Sequence, residues 1–82
     1  MIKVRFFGFI RSQIGTGYAE IDAGRIDEAL RLVCNEYGNI ELDTLKNSLI
    51  FVNSINIADL KRFKTVLKEG DEVMILSPVA GG

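Results

Sequence analysis

Ile2, Val4 and Phe6 alternate with Lys3 and Arg5 at the start of the chain. A period of two predicts a strand over 2–8 with one buried face. Phe7 falls on the polar side of that alternation. Residues 18–22, YAEID, alternate again and read as a second strand, the hairpin partner of the first. The connection between them, FIRSQIGTG, has room for one helical turn, with Gly15 and Gly17 as breakers.

The period then changes. Ile26, Ala29, Leu30, Val33, Cys34 and Tyr37 stand at i, i+3, i+4, i+7, i+8 and i+11, one face of a helix. Asp27 and Glu28 lie in its first turn, where the helix dipole favours negative charge. Gly38 is placed to end it in a left-handed cap. Cys34 belongs to the apolar face, where a free cysteine behaves as a small hydrophobe, so it is read as core.

Residues 49–53, LIFVN, form a short apolar strand, and NSIN after it has the composition of a turn. ADLKRF suits a brief helical turn, and Gly70 a tight one. Residues 72–77, EVMILS, are the last strand; with Val73 and Ile75 inward, Met74 and Leu76 face outward. Strand, strand, helix, strand, strand makes an α+β sheet with one helix across it. Repeats, low-complexity stretches and linkers are absent from the sequence.

The composition narrows the function classes. The 82 residues carry 48% hydrophobic and 26% charged residues, as in an ordinary soluble domain. Ten Lys and Arg against 11 Asp and Glu leave a net charge of −1, which draws nothing to a phosphate backbone. Nucleic acid is therefore not an expected partner, and neither is a membrane, because no apolar run approaches the ~20 residues a span needs. The opening MIKVRFFGF lacks a signal-peptide core, and a single cysteine suits a reducing cytosol, so a cytoplasmic location is expected. Histidine is absent, which removes Ser-His and Cys-His nucleophile pairs and the commonest metal ligand. Neither GxGxxG nor GxxxxGK[ST] occurs. A self-sufficient enzyme is not expected.

Three motifs carry a family likeness: FFGFIRSQIG, with Phe6, Phe7, Arg11 and Gly15; FVN followed by LKEGDEV, with Val52, Asn53, Gly70, Asp71, Glu72 and Val73; and the ending SPVAGG. In this order they resemble the MoaD/ThiS-type ubiquitin-like sulfur carriers, and within them the small subunit of molybdopterin synthase. The resemblance implies a ubiquitin-like β-grasp of four to five strands in a mixed sheet, with one main helix packed across it. Residues 1–76 are then the β-grasp domain and residues 77–82 a flexible C-terminal tail ending in Gly-Gly. The family usually has proline where this chain has Ser77, which relaxes the tail's stiffness by one residue.

The resemblance also implies the chemistry. A partner adenylating enzyme, using ATP and magnesium, turns the carboxylate of Gly82 into an acyl-adenylate. Sulfur from a sulfur donor protein then leaves a thiocarboxylate, which the molybdopterin synthase large subunit uses on a pyranopterin precursor. Gly82 is a carrier rather than a catalyst, and this chain itself binds no cofactor and no metal. Without a Cβ, Gly81 and Gly82 can thread a channel that larger residues block. Pro78 restrains the backbone, and Val79 and Ala80 are small and apolar enough to follow.

A β-grasp sheet sets its first and last strands side by side, so Phe7, Met74 and Leu76 are expected to form an exposed apolar partner surface. The rival account is a loop covering that face, or reversed parity in one strand. Lys61, Arg62, Lys64 and Lys68 read as a solvated loop, the alternative being contact with an acidic partner groove. Other functions share the tail: a ubiquitin-like modifier joined to lysines through Gly82, or a carrier for thiamine or another thiolation pathway. A non-covalent β-grasp binding module has no use for it.

Overall fold

The computed structural model describes residues 1–77. Strand β1 (Ile2–Phe7) alternates buried and exposed along its whole length, as the sequence period requires. Helix α1 (Gly8–Ile14) follows at once, two turns where one was expected. Its buried residues are Ile10 and Ile14, a single i, i+4 pair. One repeat of that spacing is too little for the helical period to show against a loop. Strand β2 (Tyr18–Ile21) returns antiparallel to β1, pairing Ile2 with Ile21 and Arg5 with Tyr18.

Helix α2 (Ile26–Tyr37) buries Ile26, Ala29, Leu30 and Val33. It ends at Gly38, whose φ of +69° would strain any residue with a Cβ, and whose N–H donates to the Cys34 carbonyl at 2.9 Å. Cys34 and Tyr37, at the edge of the same face, are half-buried against the core. The Tyr37 ring meets Phe6 edge-on at 6.1 Å. Burial pushes the Cys34 thiol up, away from the thiolate form that reacts.

Helix α3 (Leu42–Lys46) and strand β3 (Leu49–Val52) come next. The hairpin to β4 (Ile55–Asn56) turns through Asn53 and Ser54, both at positive φ as a type I′ turn needs. Short 3₁₀ turns at Ile57–Asp59 and Arg62–Lys64 lead to β5 (Glu72–Leu76). The five strands form one sheet in the order β2-β1-β5-β3-β4, with β1 and β5 parallel and the other neighbours antiparallel. This mixed sheet with α2 across it is the β-grasp arrangement that the resemblance implies.

The core fills one side of the sheet only. Val4, Phe6, Ile50, Val73 and Ile75 from the strands join Ile26, Leu30 and Val33 of α2 and Leu45 of α3 in a single buried cluster. Full burial of a side chain of this size contributes about 1.5–3 kcal/mol. No helix among the described residues is long and apolar enough to cross a membrane.

Candidate functional site

Strand pairing builds the open face of the sheet row by row. At the end where β5 finishes, Phe7 of β1 is paired with Leu76 of β5, and Leu76 with Leu49 of β3. One step back lie Tyr18, Arg5, Met74 and Phe51, on four successive strands. A further step back, Glu20, Lys3 and Glu72 are paired across β2, β1 and β5. All alternate with the buried set, so they share the face opposite the core.

The face is therefore graded, from an apolar row at one end through a mixed row to a charged one. Phe7 and Leu49 keep 36% and 39% of their surface exposed, and Leu76, Met74 and Phe51 are half-buried. Phe9, just beyond the apolar row, is 62% exposed. Large apolar side chains gathered in this way form an exposed apolar patch on one face of the domain. The sequence marked Phe7, Met74 and Leu76, and pairing brings them together. It did not mark Leu49 and Phe51, because LIFV is apolar at every position and carries no alternation from which to read a face.

The polar rows are internally bonded. Arg5 donates from Nε to Glu72 at 2.6 Å and lies over the Tyr18 ring at 5.2 Å. The Tyr18 hydroxyl donates to Glu20 at 2.7 Å. That hydrogen bond raises the phenol's pKa, and the bond to Glu72 raises that of Arg5. Lys61, Arg62, Lys64 and Lys68 lie exposed on the connection between β4 and β5 and take no part in these rows.

Strand β5 delivers the chain to Ser77 at the apolar end of the face. Pro78, Val79, Ala80, Gly81 and Gly82 lie outside the described residues. Five extended residues reach about 17 Å. Among the described residues, no group of three or more His, Cys, Asp or Glu side chains is gathered that could hold a metal ion.

These features define a class: a small ubiquitin-like β-grasp domain, its helix on one side of the sheet and an apolar row open on the other. The ThiS family model matches residues 4–82, nearly the whole chain, and the chain belongs to that family. Its fold is that of the ThiS/MoaD-type ubiquitin-like sulfur carriers. The small archaeal modifier protein 1 of Methanosarcina acetivorans is 26% identical at a TM-score of 0.88, over 99% of this chain and 95% of that one. A chain from the complex of subunits 1 and 2 of the molybdopterin-converting factor of Helicobacter pylori is 31% identical at a TM-score of 0.67, over 99% and 97%. A chain of the BexX/CysO complex of Amycolatopsis orientalis, at 20% identity and a TM-score of 0.82 over 100% of both, shares the fold. No curated protein matches the chain.

Proposed function

We propose that this chain carries sulfur on the carboxylate of Gly82 and serves as the small subunit of molybdopterin synthase. An adenylating enzyme joins the carboxylate to AMP, consuming ATP with magnesium and releasing pyrophosphate. The terminal sulfur of a persulfide on a donor protein displaces AMP, and thiol reduction of the resulting S–S bond leaves the thiocarboxylate. The large subunit then directs that sulfur to a pyranopterin precursor.

The observation that carries this reading is where the tail begins. Ser77 follows directly on Leu76, in the row where Phe7 and Leu49 are open to solvent. A partner that covers this row receives the tail at the same edge, so docking and delivery need no second surface. The 31% identity to a chain of a molybdopterin-converting factor complex supports the choice of acceptor. The test is intact mass after incubation with the adenylating enzyme of the source organism, ATP, magnesium and a sulfur donor. One oxygen-to-sulfur step mapped to Gly82 is expected. An unchanged mass, with a known carrier modified in the same tube, rules the reading out.

A second reading has its own support: 26% identity to a small archaeal modifier protein at a TM-score of 0.88. It keeps the activated Gly82 and changes the acceptor to a lysine amine. Isopeptide-linked adducts bearing a Gly-Gly remnant on lysine distinguish it from sulfur transfer.

A further inference from the structure

Helix α1 starts without a cap of its own. Phe7 occupies the cap position, and no side chain there accepts from the first N–H groups of the helix. The N–H of Phe9 donates instead to the hydroxyl of Ser77, 68 positions away in sequence, at 2.9 Å. Helix N-termini leave donors in need of an acceptor, and serine is among the side chains best suited to supply one. Here the acceptor comes from the root of the C-terminal tail.

Gly8 makes room for it. A Cβ on Gly8 would stand 2.6 Å from Ser77 Oγ, inside contact distance, and the φ of +65° is left-handed. A side chain at position 8 would therefore both strain the backbone and evict the hydroxyl. Gly8 follows Phe7, Ser77 follows Leu76, and Phe7 and Leu76 are register partners. The hydrogen bond thus lies just beyond the apolar row, two residues past Phe7 on one side and one past Leu76 on the other.

We propose that Ser77 is a positioning residue, which ties the root of the tail to α1 and so sets where the tail starts relative to the apolar row. What this positioning serves rests on the sulfur-carrier reading. A partner that grips Phe7, Leu49 and Leu76 then meets a chain held through Ser77 rather than only through Leu76. Losing the hydroxyl leaves the docking row intact and widens the volume that Gly82 must search for its activating site. The signature is therefore a fall in kcat at constant KM for the carrier.

The test compares wild type, Ser77→Ala, Ser77→Thr and Ser48→Ala. Ser48 serves as the control because its hydroxyl also makes a hydrogen bond, to the Thr44 carbonyl at 2.7 Å and not to α1. Two quantities are read: exchange of the Phe9 amide by NMR, and kcat and KM of the adenylating enzyme by pyrophosphate exchange. Ser77→Ala is expected to speed Phe9 exchange and lower kcat, each by about 2- to 10-fold, the worth of one hydrogen bond, with KM unchanged. Ser77→Thr restores both, and Ser48→Ala moves neither. An active wild type with Ser77→Ala unaltered in kcat, or altered equally by Ser77→Thr, overturns the positioning role alone. A wild type that its adenylating enzyme leaves untouched overturns the sulfur-carrier reading, and the positioning role with it.

Discussion

Asn53 and Asp71, from the β3–β4 turn and the turn before β5, are joined side chain to side chain by a 3.0 Å hydrogen bond. The Asn53 Oδ1 also accepts the Glu72 N–H at 3.0 Å, and its own N–H donates to the Glu72 carbonyl at 2.8 Å. The other Asp71 oxygen accepts the Lys68 N–H at 2.8 Å. These bonds lock the start of β5 to the end of β3, next to the pairing of Val52 with Val73. Both residues belong to motifs that carried the family resemblance, and their work in the structure is to clasp two strands of the open face together.

Asn53→Ala removes both side-chain hydrogen bonds and places an alanine at φ +50°, in the left-handed region where asparagine is better tolerated. The expected loss is about 1–2 kcal/mol, because the bonds are exposed and water replaces part of each. Thermal unfolding measures it as a drop of several degrees. An unchanged midpoint means that the clasp contributes nothing to stability.

The clasp also has a pH dependence. The Asn53 hydrogen bond, followed by the Lys68 N–H, holds the Asp71 carboxyl below its usual range. A folded-state pKa below the unfolded value of about 3.9 gives stability that is present above that value. It is lost as pH falls through the lower, folded pKa. Urea unfolding at neutral pH and near pH 3 is expected to show a smaller acid loss in Asp71→Asn than in wild type. Equal losses mean that Asp71 does not contribute to the acid limb.

The open apolar row makes a prediction about binding. Phe7→Ser and Leu49→Ser are each expected to weaken the complex with a tail-activating partner at least about tenfold, the scale of a central aromatic or aliphatic anchor. Their shared face is opposite the core, so a folded chain with an intact cluster is expected by circular dichroism. Titration calorimetry against the partner gives the affinities. Wild-type affinity in both variants places the docking surface elsewhere on the domain.

How far the sequence displays these features depends on how local their causes are. β1 and α2 are legible because each repeats its period: three alternations in IKVRFF, and six positions on one face from Ile26 to Tyr37. α3 is five residues long and buries only Leu45, and β4 is two residues long. Neither supplies enough repeats to distinguish it from a loop. Leu49 and Phe51 reach the open face through their pairing with β5, which an all-apolar LIFV conceals. Ser77 is the plainest case. From sequence it loosens the tail by replacing a proline, whereas in the fold its hydroxyl caps a helix near the other end of the chain. No local spacing encodes a contact between residues so far apart.

Gly82 separates the carrier from the binding module most sharply. If the chain works only by holding a partner non-covalently, Gly82→Ala leaves its activity unchanged, because the apolar row and the core stay as they are. If Gly82 is activated, its carboxylate must approach the α-phosphate of ATP in a channel too narrow for a Cβ, and an added methyl group displaces the reacting atoms. A misplacement of about 1 Å is worth on the order of 100-fold in rate. Gly82→Ala is therefore expected to lower the rate of adenylation by about that factor, with thermal unfolding and affinity for the partner unchanged. Pyrophosphate exchange measures the rate and titration calorimetry the affinity. Retained adenylation means that the channel tolerates a side chain, and lost affinity means that the tail contributes to docking as well as to chemistry.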